Sequence, residues 1–304
     1  CLFPSLCFIL LLMAIMPYII KKGELKMETK VTLAGHRGWR AKYPENTMRG
    51  FREVLKIDID AIEMDAHMTK DYHIVVCHDA DLSRTTDKSG KIYRLTLDEV
   101  RQADAGIKFG EEFKGEKVPT MQEFLELMAT RPDIKLLLEL KDYPEELGDF
   151  AYASAELTLS LCRQYGIFGK DRLTVITFST ALCAWLRTRY TKEDFSIHGF
   201  YPKSIMKGSD KDDPYKYYDE VCIFNRGGKT PEGFPIKVEH PVADKARFTE
   251  FALMGIKPCV HYGMNTDEEV YRLSLENGAI GFTCDHPDIC GAYLDKYGAR
   301  KLKK

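Results

Sequence analysis

The chain has 304 residues, 44% hydrophobic and 30% charged, with a formal net charge of -2. That balance excludes a general basic field for nucleic acid, and the apolar content excludes a disordered chain. The length suits one large α/β domain better than two small ones. Nine cysteines are scattered without a CxxC pair or a metal-ligand spacing. Cys77, Cys222, Cys259 and Cys284 sit inside apolar runs, where a reduced thiol packs as a small hydrophobe in a cytosolic protein.

Leu2 to Ile20 is apolar and uncharged, followed by Lys21-Lys22. That is the length of a membrane-spanning helix. No positive segment precedes it and no small-residue cleavage site follows; Met16-Pro17-Tyr18 is a poor one. Lys22-Gly23-Glu24 back-translates to a purine run containing AGGAG, roughly eight nucleotides before the codon of Met27. Residues 1–26 are therefore read as a mistranslated leader, and 27–304 as a cytoplasmic protein without a membrane span. The alternative is a genuine signal or anchor, which would export the protein or hold it at a membrane.

From Met27 onward, short apolar runs alternate with amphipathic stretches. The runs predict strands at Val31–Gly35, Ala61–Asp65, Lys135–Leu140, Leu173–Phe178, Ser196–Phe200, Val221–Phe224, Ile256–His261 and Ala279–Thr283. Helical periodicity lies between them, over Met48–Leu55, Met121–Thr130, Glu145–Tyr165, Ala181–Arg189, Pro241–Met254 and Glu268–Asn277. Thr120 with Glu123, and Thr266 with Glu269, carry the capping-box spacing. Asn277-Gly278 and Met254-Gly255 mark helix ends. Eight strands alternating with helices make a (β/α)8 TIM barrel. Residues about 69–119 exceed one βα loop and read as a small insertion after the second strand, with a hairpin at Ile74–Cys77. Lys203–Tyr218 and Asn225–Pro235 are polar loops placed to wall a site. The basic stretch Arg300 to Lys304 reads as a solvated end.

Chemistry gathers early in the chain. His36-Arg37-Gly38, Pro44-Glu45-Asn46-Thr47, Glu63-Met64-Asp65 and His78-Asp79 each follow or end an apolar run, where a β/α barrel presents its reactive groups. Residues two apart in a strand face the same way, so Glu63 and Asp65 point together. Adjacent carboxylates repel unless a proton or cation sits between them. With no sulfur or imidazole in the pair, a hard cation, Mg²⁺ or Ca²⁺, fits best.

The ordered set resembles the glycerophosphodiester phosphodiesterase family from Leu33 to about Asp288. It comprises Leu33-Ala34-Gly35-His36-Arg37-Gly38, Pro44-Glu45-Asn46-Thr47, Ile62-Glu63-Met64-Asp65, Val75-Val76-Cys77-His78-Asp79 and Leu82-Ser83-Arg84-Thr85-Thr86. Val118-Pro119-Thr120, Leu138-Glu139-Leu140-Lys141 and Thr283-Cys284-Asp285 complete it. The resemblance implies hydrolysis of small glycerophosphodiesters to sn-glycerol 3-phosphate and an alcohol, with a divalent cation. It implies Glu63, Asp65 and Glu139 as metal ligands, His36 and His78 as the acid/base pair, and Arg37 and Lys141 on the phosphate. Glu45 and Asn46 are expected to support the site from behind or cap a helix rather than react. Leu136, Leu137, Leu138 and Leu140 surround Glu139, and an ionised carboxylate in such a run needs compensation. Phe178, Phe200, Tyr262 and Phe282 end strands and could line the mouth, and His67 alternates with Glu63 and Asp65.

The chain departs from the family pattern at two places. His261-Tyr262-Gly263-Met264-Asn265 stands where members often carry Trp-Thr-Val-Asn, and Asp71-Tyr72 replaces an Asp-Gly turn. Neither change is expected to touch a metal or acid/base residue; the first leaves headgroup preference open. Two alternative activities are phospholipase D-like cleavage of lysophospholipids on the same barrel, and a barrel that only binds phosphodiesters. No Cys/His cluster suggests a zinc hydrolase.

Overall fold

Each apolar run becomes a buried strand and each amphipathic stretch covers it. The computed structural model describes residues 30–225 and 240–300, and the backbone of an antiparallel pair, β1 (Tyr18–Lys21) and β2 (Glu24–Met27). Most of the leader, Leu2 to Pro17, and most of the Asn225–Pro235 loop lie outside the described residues. Among the described residues no helix is long and apolar enough to cross a membrane.

The barrel strands are β3 (Thr32–Gly35), β4 (Ala61–Met68), β6 (Lys135–Leu140), β7 (Leu173–Ile176), β8 (Ser196–Tyr201), β9 (Glu220–Ile223), β10 (Lys257–His261) and β11 (Gly281–Cys284). Each pairs in parallel with its neighbours, and β3 pairs with both β4 and β11, closing the sheet. The chain therefore folds as the expected (β/α)8 barrel. Closure leaves no barrel edge exposed. Leu33, Ile62, Met64, Leu136, Leu138, Val175, Ile197 and Val221 are wholly buried. Phe51 and Phe124 meet edge to face at 4.6 Å between two covering helices.

Residues 69–119 form a small body of their own. β5 (Ile74–Val76) pairs antiparallel with the end of β4, through Ala66↔Val76, His67↔Val75 and Met68↔Ile74. Val75, Cys77, Leu82, Ile92, Val100, Ala103 and Val118 give it a separate apolar cluster. The turn between β4 and β5 puts Tyr72 at φ 63, in the region glycine prefers, so the departure from Asp-Gly strains the backbone.

Helix ends follow local chemistry, with some shifts from expectation. Thr120 and Glu123 close their capping box, a device worth about 1 kcal/mol. The later helix starts at Glu268, and Asp267 caps it instead of Thr266, because the Asp267 carboxylate accepts from Glu269 N at 3.0 Å. The expected Glu145–Tyr165 helix is two pieces, Pro144–Leu147 and Asp149–Gln164, broken where Gly148 turns to φ 56. The Pro241–Met254 stretch becomes helical only at Lys245, after Asp244 caps it. A helix over Pro287–Lys296 and a short one over Leu97–Arg101 escaped the periodicity. Arg300 is not a solvated end: its guanidinium is buried on Asp295, at 2.9 and 3.0 Å, and donates to the Asp58 carbonyl.

One strand position admits no side chain. A Cβ on Gly199 would lie 1.8 Å from the Tyr218 ring, which is itself buried in the core. Gly199→Ala is expected to cost about 3 kcal/mol through overpacking, read as a lowered urea midpoint. An unchanged midpoint would show that the Tyr218 ring can move aside.

Candidate active site

Strand C-termini present the reactive groups, and register decides which of them meet. Glu63 and Asp65 alternate along β4, whose eight residues are all buried. Asp65 is the cross-strand partner of Glu139 on β6, so two distant parts of the sequence place their carboxylates side by side. Glu63, Asp65 and Glu139 each offer an oxygen, all within 4.8 Å of one another. Their exposures are 3%, 0% and 7%, so water screens none of them.

Cations and amides hold this group. Arg37 sits just past β3 at φ 52, and that turn aims its backbone N–H at Glu63 Oε2, 2.8 Å away. Its guanidinium reaches Glu45 at 2.8 Å and Asp65 at 3.3 Å. Lys141 Nζ donates to Glu139 at 2.7 Å and lies 3.7 Å from Asp65. Asn46, also at positive φ, donates its side-chain amide to Asp65 Oδ2 at 2.8 Å. Strained residues gathered here match the tendency of strain to collect at working sites.

The two histidines stand at opposite ends of the carboxylate group, each oriented by an aspartate. His36 Nδ1 donates to Asp285 Oδ1 at 2.5 Å, leaving Nε2 3.8 Å from Glu63. His78 Nδ1 donates to Asp79 at 2.6 Å, and its Nε2 accepts from Lys141 Nζ at 3.1 Å. An Nδ1–H bond to a carboxylate fixes the tautomer and turns Nε2 toward the chemistry. His67 lies beneath: its Nδ1 is 2.7 Å from Asp142 and its Nε2 3.3 Å from the His78 carbonyl. It braces the loop that carries His78 rather than reaching the carboxylates.

Glu45 connects the two histidine–aspartate pairs. It binds Arg37, Arg40 at 3.0 Å and Arg84 at 2.7 and 3.0 Å. Arg40 continues to Asp285 at 2.9 Å, and Arg84 to Asp79 at 2.5 Å. A chain of charge-assisted bonds thus runs from Asp285 to Asp79. Asn46, by contrast, holds a carboxylate directly, and Thr47 is the residue that caps the helix Met48–Val54.

Electrostatics follows from this packing. Burial and the neighbouring Asp65 charge push the Glu63 carboxyl well above its ordinary range. Burial also acts on Asp65, but Lys141 and Arg37 outweigh it and lower the carboxyl to about 2. Glu45 stays well below the carboxylate range: burial opposes ionisation, and Arg84, Arg37 and Arg40 overcome it. Lys141 is raised, burial being outweighed by Glu139 and Asp65. Burial and the adjacent His261 lower His36 to about 3. Burial also lowers His78, with Lys141 and Arg37 adding to it against the pull of Asp65.

All nine residues singled out from the sequence meet here. Sequence reasoning gave no site role to Asp285, Asp79, Arg40, Arg84 and His261. Asp79 and Arg84 were visible within or beside motif residues, and Asp285 ends the Thr283-Cys284-Asp285 run; its pairing with His36, 249 positions away, had no local signal. The seventh-strand departure, expected to leave the proposed acid/base residues untouched, does reach His36. The His261 ring centroid is 4.2 Å from that of His36, because β10 and β3 flank the same strand, β11.

Of the four strand-end aromatics, Phe282 is core at 1% exposure, while Phe178 and Phe200 stack at 3.7 Å. Phe224 extends that stack, and Lys141 lies 5.8 Å from the Phe178 ring, which makes an apolar wall beside the carboxylates. The Lys203–Tyr218 loop approaches through Lys207, which covers the Tyr143 ring; the Tyr143 hydroxyl lies 3.5 Å from Glu139. A cleft of about 280 Å³ opens beside Glu45, lined by Arg40, Arg84, Lys108, Phe109 and Met264.

Comparison with known proteins places this arrangement. Residues 36–289 match the model of the glycerophosphoryl diester phosphodiesterase family. A glycerophosphodiester phosphodiesterase of Caldanaerobacter subterraneus subsp. tengcongensis is 42% identical over 112 residues, 37% of this chain and 46% of that protein. An uncharacterized protein of Bacillus subtilis is 29% identical over 85% of this chain and 96% of its own. The glycerophosphodiester phosphodiesterases at the head of the similarity search are matched over less than half of their own length. Among solved structures, a phosphodiesterase from Oleispira antarctica in complex with the product sn-glycerol-3-phosphate has a TM-score of 0.69 at 22% identity. The match covers 88% of this chain and 97% of that one. A glycerophosphodiester phosphodiesterase from Agrobacterium tumefaciens has a TM-score of 0.61 at 23% identity, over 86% and 99%. At such identities the structures speak to the fold.

The depressed Asp65 carboxyl has a consequence for stability. Its folded value of about 2 lies below the ordinary 3.8, so its contribution is complete above pH 4 and is lost as pH falls toward 2. The stability gap between wild type and Asp65→Asn, measured by urea unfolding in chelator, should be widest above pH 4 and shrink below it. A gap independent of pH would contradict the assignment of its charge to Lys141 and Arg37.

Proposed function

The chain belongs to the glycerophosphoryl diester phosphodiesterase family, and within it we propose that this protein hydrolyses small glycerophosphodiesters to sn-glycerol 3-phosphate and an alcohol. The observation that carries the reading is the pair of aspartate-oriented imidazoles at the two ends of one buried three-carboxylate group. The product complex of the Oleispira antarctica protein, on the same fold, supports it.

The carboxylate group fits a divalent cation. Its donors are all oxygen, and Asp65 Oδ1 is buried without a hydrogen bond. Glu63, Asp65 and Glu139 would hold Mg²⁺ or Ca²⁺, hard ions that take carboxylate oxygen. When bound, the ion supplies Lewis-acid charge against the phosphate and orients the glycerol hydroxyls.

The remaining work falls to this chain's own side chains. Arg37 and Lys141 face the same volume and neutralise negative charge that grows on the phosphoryl oxygens. One imidazole takes the proton of the glycerol hydroxyl next to the phosphate, whose oxygen then attacks phosphorus. The other delivers a proton to the departing alkoxide, and a cyclic phosphate results. Water opens the ring with the proton roles exchanged. Asp285 and Asp79 keep each Nε2 turned inward through these transfers. The Phe178–Phe200 stack offers an apolar face to the organic part of the substrate. The described cysteines are all free and buried, which supports a reducing, cytoplasmic setting.

Purified protein should hydrolyse glycerophosphocholine or glycerophosphoethanolamine, lose that activity in EDTA, and regain it with Mg²⁺ or Ca²⁺. Full activity after exhaustive chelation would sink the cation assignment. Turnover of lysophosphatidylcholine alone would favour the phospholipase D-like alternative, and no turnover of any diester would leave a binding barrel.

His36→Ala and His78→Ala should each lower turnover about a hundredfold or more while retaining the cation. A diester with a strongly acidic leaving alcohol needs little protonation on departure, so it should rescue the variant that lacks the acid and identify it. Near-normal rates in both variants on unactivated substrate would refute the two-histidine mechanism.

A further inference from the structure

A second group of ligand-type side chains meets at the opposite end of the barrel, where the strands begin. A cavity of about 750 Å³ opens there, lined by the first residues of six strands: Thr32, Lys135, Ser196, Glu220, Lys257 and Gly281. Its wall also carries His198 on β8 and Cys259 on β10, which flank Glu220 on β9. Each of His198, Glu220 and Cys259 offers one donor atom within 4.8 Å of the other two.

The geometry within this group suits ligation better than hydrogen bonding. His198 Nδ1 and Glu220 Oε2 are 3.4 Å apart, beyond the normal N–H···O range of about 2.7–3.2 Å. Two ligands about 2.0–2.1 Å from a tetrahedral ion stand about 3.4 Å apart. Glu220 Oε1 is turned to Lys135 Nζ at 3.5 Å, which leaves Oε2 for the group. Cys259 Sγ makes a long contact, 3.8 Å, to the Lys257 carbonyl. Space for the sulfur depends on a missing side chain next door, since a Cβ on Gly281 would lie 2.6 Å from it.

The donor set is one nitrogen, one sulfur and one oxygen. Such a set selects a borderline-soft ion and disfavours Mg²⁺ and Ca²⁺, so it differs in kind from the all-oxygen group at the other end. We propose that the base of the barrel binds a divalent transition ion of the Zn²⁺ class through His198, Glu220 and Cys259. Water from the cavity completes the tetrahedron. Binding replaces the thiol proton, which leaves to solvent, and ties β8, β9 and β10 together. No step of the hydrolysis passes through this site.

Cobalt(II) reports the sulfur ligand directly. Full-length protein stripped by chelator and titrated with Co²⁺ should develop a near-ultraviolet thiolate-to-cobalt charge-transfer band, which added Zn²⁺ should abolish. Cys259→Ser should lack the band, and the control Cys222→Ser should keep it. His198→Gln should weaken Co²⁺ binding by about tenfold or more. Circular dichroism checks that each variant is folded. The wild-type titration stands alone if a variant fails that check: absence of the band there overturns the proposal. A band of full strength in folded Cys259→Ser, or one that Zn²⁺ does not displace, overturns it equally.

Discussion

Burial of three carboxylates in one small volume is the constraint around which the upper half of this barrel is arranged. Glu63, Asp65 and Glu139 are nearly inaccessible to water, and in a medium of reduced dielectric their mutual repulsion is large. Two cations, Arg37 and Lys141, offset part of it, along with the amide of Asn46 and the backbone N–H of Arg37. Burial, and after it the Asp65 charge, keep the Glu63 carboxyl raised in spite of these partners. A divalent cation held by the three carboxylates would add positive charge and favour their ionised forms.

That constraint also explains what was readable from the sequence. Period-two alternation placed Glu63 and Asp65 on one face, and the leucines around Glu139 marked a carboxylate needing compensation, because both effects are local. The barrel followed from eight apolar runs separated by helical stretches. Partnerships across strands could not be read this way. Asp65 meets Glu139 through register, and Asp285 meets His36 through closure of β11 on β3. His261 looked like a change at the mouth, yet closure carries its ring to that of His36. The His198, Glu220 and Cys259 group was hidden for the same reason: each strand contributes one member, so no spacing motif exists. Boundary errors had humbler causes, such as Asp267 outcompeting Thr266 as a cap and Gly148 interrupting a helix.

Glu45 shows how much a residue outside the reaction can determine. Its carboxylate accepts from three arginines, and two of these continue to the aspartates that orient the two imidazoles. A charge deleted at Glu45 would leave Arg37, Arg40 and Arg84 close together without their common partner, and like charges at such distances repel. Both imidazoles would then be loosened at once, from opposite sides. The sequence places Glu45 beside Asn46, so one short loop governs the orientation of the histidines and the position of Asp65.

The protonation states of the two histidines complete the picture. Burial and His261 lower the His36 imidazole to about 3, and burial with Lys141 lowers that of His78. A general acid, however, has to carry a proton. A phosphodiester would bring a negative charge to the volume that Arg37, Lys141 and the two Nε2 atoms face. Its arrival offsets the cations that hold the imidazoles neutral, and so raises their affinity for a proton. On the proposed two-histidine mechanism, the substrate would thereby help to charge the acid that releases its alcohol.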